Sequence, residues 1–225
     1  MPLTATPKRT MTRKHVWHDD YWLMLMQAYL KKPTGMKPTY SRTMVELSME
    51  LHLPPQMLHK RMEQIANLST PRIERIWNTY CQKPKQLERA VRLLRGMTGF
   101  GAASEFYEGV EVEETFEKDF RPLTEDDRLT PAMLIIILDL YFQLTPPTMV
   151  PQTPEVQDVA RLLKLKADDV CQILEVMQQC DPYLNRQAVI LSPLLLPCQQ
   201  VWQRFGNEDQ SVLAAHANEL KAYFK

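Results

Sequence analysis

Apolar residues return at spacings of three and four over most of the chain, the period of helices with one buried face. In the first hundred residues this predicts helices over about 19–31, 42–51 and 55–66. A longer one follows near 72–95. The pattern then starts again at about 131–144, 154–163 and 167–179, with a last helix near 197–224. Both final helices are expected to be broken. Thr130-Pro131 and Thr153-Pro154 have the form of an N-cap followed by proline at the first helical position, and Ser41 stands where Thr153 does.

Placing Trp22 beneath Leu134 gives an ungapped register of 112 residues over 44 positions. Leu47, Leu51 and Leu53 meet Val159, Leu163 and Leu165. Leu58, Met62 and Ile65 meet Val170, Leu174 and Met177. After a gap of 13 residues the register resumes at 125, where Ile76-Trp77 and Tyr80 meet Val201-Trp202 and Phe205, and Leu87 meets Val212. The chain therefore reads as a duplication. A basic arm (1–17) precedes copy one (18–97), a linker (98–129) follows it, and copy two (130–225) ends the chain.

The middle of each copy, ELSMELHLPPQMLHKRMEQI and DVARLLKLKADDVCQILEVM, resembles the helix-turn-helix of the winged-helix superfamily. A small residue (Ser48, Ala160) sits where two helices would cross, and apolar residues occupy the turn and the inner face of the second helix. Glycine is common at the turn of that pattern. Here His52 and Lys164 stand there, in a place that needs a left-handed or strained backbone. PYLNRQAVILSP in copy two looks like a short wing, with a turn at Asn185-Arg186 and a strand at Ala188–Leu191. The resemblance implies a mainly α chain of two tandem winged-helix-like domains, with a small β wing in the second.

It also implies a second helix laid in the DNA major groove. In copy one the residues opposite the buried stripe are Gln56, His59, Lys60 and Glu63, flanked by Arg61 and Gln64. Gln pairs with adenine, and Lys and Arg with guanine or phosphate. Lys8, Arg9, Arg13 and Lys14 of the arm add phosphate contacts. Arg72, Arg75, Lys83, Lys85, Arg89, Arg92 and Arg95 make the last helix of copy one basic as well. Copy two offers Asp168, Cys171, Gln172 and Glu175 instead, which suits a role in assembly.

Charge sharpens this division. The net charge is zero, but residues 1–100 hold 17 Lys+Arg and 7 Asp+Glu, and residues 101–225 hold 10 and 20. A basic half meets a polyanion or an acidic partner, including the acidic half of another copy. From Glu105 to Asp127 there are ten acids and two bases. This run reads as a solvated linker, with Phe106, Tyr107, Phe116 and Phe120 apolar enough to dock.

Catalysis finds little support. There is no phosphate-binding glycine motif and no G-x-S-x-G. His15 and His18 give H-x-x-H, but Asp19 or Asp20 reads better as a helix N-cap, and no second cluster completes a metal site. His52 and His59, seven apart, are not expected to bind one either, and His216 is placed at the surface. The four cysteines form no C-x-x-C pair and read as reduced, packed thiols. The longest apolar run, Ala132–Leu138, is too short to span a bilayer. No apolar stretch follows the basic N-terminus as in a secretory signal. The expectation is a cytoplasmic, non-enzymatic, cofactor-free DNA-binding protein with a regulatory role in transcription, and beside it a protein-interaction scaffold without nucleic acid.

Overall fold

A computed structural model describes residues 17–98, 100, 115–184 and 192–225. Among them the protein is mainly helical, with no strand. The helices are α1 (Tyr21–Leu30), α2 (Arg42–Leu51), α3 (Pro55–Ala66), α4 (Pro71–Tyr80) and α5 (Pro84–Arg95), then α6 (Thr115–Phe120). They continue with α7 (Pro131–Gln143), α8 (Pro154–Leu163), α9 (Ala167–Cys180), α10 (Leu195–Phe205) and α11 (Gln210–Phe224). Proline opens α3, α4, α5, α7 and α8, where its fixed φ suits the first turn and its missing N–H costs nothing. The wing expected at 185–191 and the arm residues Lys8, Arg9, Arg13 and Lys14 lie outside the described residues.

α2 and α8 begin and end 112 residues apart, and α3 and α9 begin 112 apart. The joints between them match in conformation. His52 and Lys164 both take left-handed backbone, at φ 52 and 58. The next N–H, of Leu53 or Leu165, reaches back to the carbonyl of Ser48 or Ala160 at 3.1 and 2.9 Å. This bond satisfies a carbonyl that the helix end leaves open, and it turns the chain sharply into the next helix. A side chain with a Cβ is strained there. Lys164→Gly is therefore expected to stabilise the protein by about 0.5–1 kcal/mol, read from urea unfolding. His52→Gly is not equivalent, because it also removes the side-chain hydrogen bond to Glu117 of α6.

The last helix of each half is broken in two. Three residues separate α4 from α5 (Cys81–Lys83) and four separate α10 from α11 (Gly206–Asp209). A Cβ on Gly206 would lie 2.6 Å from the Trp202 ring, so only glycine allows that close approach. The extra residue corrects the pairing of Leu87 with Val212. Val212 is 53% exposed, and Leu213, Ala217 and Leu220 are the buried partners of Leu87, Val91 and Leu94. The register is thus 126 over the last helix, not 125.

Each half has a core of its own. The first gathers Leu25, Met44, Leu58, Met62 and Val91 around α1. The second surrounds α7, whose residues Leu134–Leu140 are all buried; a helix apolar on every side must be covered on every side. The N-caps depart from expectation. Asp20 has helical backbone and its carboxylate caps nothing, while Asp19 pairs with Arg72 at 3.0 Å. Ser41 and Thr153 occupy cap positions without a side-chain bond to the helix, whereas Thr130 accepts from the Met133 N–H.

The acidic run is not all solvated. α6 turns Glu117, Asp119 and Phe120 inward between the halves. Glu117 accepts from His52 Nδ1 at 2.9 Å and from Arg121 at 2.8 Å. Asp119 takes both arms of Arg204, at 2.6 and 2.9 Å. Tyr40 and Val45 of the first half join the core of the second. His216 is not at the open surface either: it stacks on Phe205 and meets Tyr40 edge-on. Burial there holds its imidazole below the usual pKa.

Candidate nucleic-acid interface

α2, the left-handed turn and α3 form a steep two-helix corner. Ser48 is wholly buried where the helices cross, and its hydroxyl finds no hydrogen-bond partner among the described residues. Leu53 plugs the turn, and Leu58, Met62 and Ile65 seat α3 against α1 and α2. This fixes which side of α3 faces out. The i, i+4, i+7 apolar stripe points inward, leaving Gln56, Lys60 and Glu63 exposed.

The expected base-reading residues do not form one free surface. Gln56 donates to the Tyr40 hydroxyl at 2.6 Å, at the boundary between the halves. His59 is partly exposed and faces Glu63 at 3.7 Å. Arg61 folds over the rings of Trp17 and Trp22, 5.1 and 5.7 Å from their centroids, and donates to Gln64 Oε1 at 3.1 Å. Such a stacked guanidinium contributes about 0.5–2 kcal/mol to packing. Arg61 and Gln64 therefore brace α3 against α1. Lys60 remains as the exposed cation of the outer face and forms no ion pair among the described residues.

A second cationic surface lies on α5. Lys85, Arg89 and Arg92 share its solvent side, opposite the buried Leu87, Val91 and Leu94. Arg95 is drawn off to Glu50, with Nε–Oε1 at 2.6 Å. Lys37 is also lost to the surface: its ammonium donates to the carbonyls of Lys31 and Pro33.

In the second half α9 exposes Asp168, Gln172 and Glu175, and Cys171 is buried. Burial pushes the Cys171 thiol pKa up, with Asp168 and Glu175 adding to the effect. The thiols of Cys180 and Cys198 are pushed up to about 11 and about 12, chiefly by burial. They are poor nucleophiles at neutral pH.

No protein-family model matches this chain, and neither does any curated protein or solved structure. Among the described residues no group of three or more His, Cys, Asp and Glu is arranged to hold a metal ion, and no helix is long and apolar enough to cross a membrane.

Sequence reasoning missed Glu117, Asp119 and Arg204 as the ionic joint between the halves. It also missed Trp17 and Trp22 as the seat of Arg61. The spacing of Phe116 and Phe120, one helical turn apart, was the available sign that this part of the acidic run folds.

Proposed function

We propose that this chain is a non-enzymatic, DNA-binding regulatory protein made of two tandem winged-helix-like units. The first contacts duplex DNA, and the second mediates assembly or regulation. The observation that carries this reading is a charge contrast on matching geometry. The same two-helix corner occurs 112 residues apart, with a left-handed residue in each joint. Its second helix exposes Gln56, Lys60 and Glu63 in one half and, at the matching places, Asp168, Gln172 and Glu175 in the other. The first set balances one cation against one acid and the second carries two acids and no cation, so phosphate is repelled by the second and not by the first.

Duplex DNA titrated at rising salt tests this. Phosphate contacts predict a log–log slope of about −0.9 for each one, so affinity falls steeply between about 50 and 200 mM salt. Two charge reversals locate the surface. Lys60→Glu is expected to weaken binding several-fold if α3 enters the groove, and Arg89→Glu to do so if α5 follows the backbone. Absence of binding at about 50 mM salt rejects the proposal.

A second reading, an interaction scaffold without nucleic acid, is favoured by one observation. Arg61 and Gln56 are already engaged within the protein, which leaves Lys60 as the one cation of α3 without a partner among the described residues. Self-association through the basic and acidic halves would then weaken with salt while DNA affinity stays absent.

A further inference from the structure

A groove of about 490 Å³ opens in the first half, between α1, α2 and α5. That volume lies in the range of small-molecule pockets. Met24, Ala28, Leu47 and Leu87 line its apolar part, and Gln27 and Thr43 add polar groups. Glu46 from α2 and Glu88 from α5 also line it; both are exposed and neither has an ion partner among the described residues. Arg95 and Glu50 pair with each other in the same lining. Lys31 is the other cation there.

The second half shows what fills the corresponding space. At the place of Ala28 stands Leu140, 3% exposed, and at the place of Glu50 stands Leu162, packed against the core. At the place of Gln27 stands Asp139, 5% exposed. Its carboxylate accepts from the ammonium of Lys221, the counterpart of Arg95, at 3.2 Å. The second half thus covers its first helix with an aliphatic stem that ends in an ammonium, held by a carboxylate. In the first half Ala28 leaves room, and Arg95 is directed to α2 instead.

We propose that the groove binds a small aliphatic amine. The apolar chain would lie on Met24, Ala28 and Leu47, and the ammonium would face Glu46 and Glu88. Apolar burial supplies most of the affinity, and the two exposed carboxylates set the preference for a cation.

Titrations of the full chain with n-octylammonium and octanoate, followed by NMR, test this. Saturable shifts at the Met24 methyl and at Ala28 and Leu47 are expected with the amine, and binding of octanoate about tenfold weaker. The double change Glu46→Gln, Glu88→Gln lies at the surface and should keep the fold while abolishing that preference. Ala28→Leu, which installs the residue of the second half, should block both ligands. No saturable shift at the groove, equal binding of both ligands, or an amine preference that survives the double change would overturn the assignment.

Discussion

Replacing Arg204 with alanine is expected to destabilise the protein by about 3 kcal/mol or more, whereas Asp119→Ala costs clearly less. The asymmetry follows from burial. The Asp119 side chain is 7% exposed and accepts two charge-assisted hydrogen bonds from one guanidinium. Without Arg204 the Asp119 side chain loses both hydrogen bonds in a desolvated place. Removing Asp119 instead leaves an arginine that is 36% exposed and regains water readily. The hydrogen bond to Asp119 raises the Arg204 pKa despite its partial burial, so the guanidinium keeps its charge. Urea unfolding of both variants checks this, and equal losses would show that the pair acts as an exposed one. The effect matters for function because α6 joins Arg204 of α10 to the His52 corner through neighbouring side chains, Asp119 and Glu117. Weakening one end loosens the seating of α3 relative to the second half.

Much of this architecture was legible in the residues. Helix boundaries were visible because proline marks so many starts and because a stripe such as Leu58, Met62, Ile65 has one period only. The left-handed joints at His52 and Lys164 were expected from the resemblance to the helix-turn-helix pattern, in which glycine is common at that place. What failed was long-range. Arg61 looked like a base-reading side chain, since nothing local says that Trp17 and Trp22 stand within reach. Acids in a row looked solvated, because the partners of Glu117 and Asp119 lie 65 and 85 residues away. The one-residue slip at Val212 was hidden because valine and leucine are adjacent and either could face the core. Exposure alone separates them.

The other large effect is expected at Leu58. It is fully buried at the centre of the α3 stripe, so Leu58→Ala removes three carbons from a place that cannot collapse onto the cavity without moving α3. A loss of about 2–5 kcal/mol is expected by thermal or urea unfolding. Lys60, two residues on, makes the informative contrast. It is exposed and has no ion partner among the described residues, so Lys60→Glu should change stability by no more than about 0.5 kcal/mol. If α3 is the reading helix, DNA affinity falls in both variants for different reasons. With Leu58→Ala it falls in step with the folded fraction and recovers on cooling or with osmolyte. With Lys60→Glu it falls while the protein stays folded, and the salt slope becomes shallower by about 1. A Lys60→Glu protein that is fully folded and binds DNA with an unchanged slope would move the contact off α3, and the ridge of Lys85, Arg89 and Arg92 on α5 would then be the surface that meets phosphate.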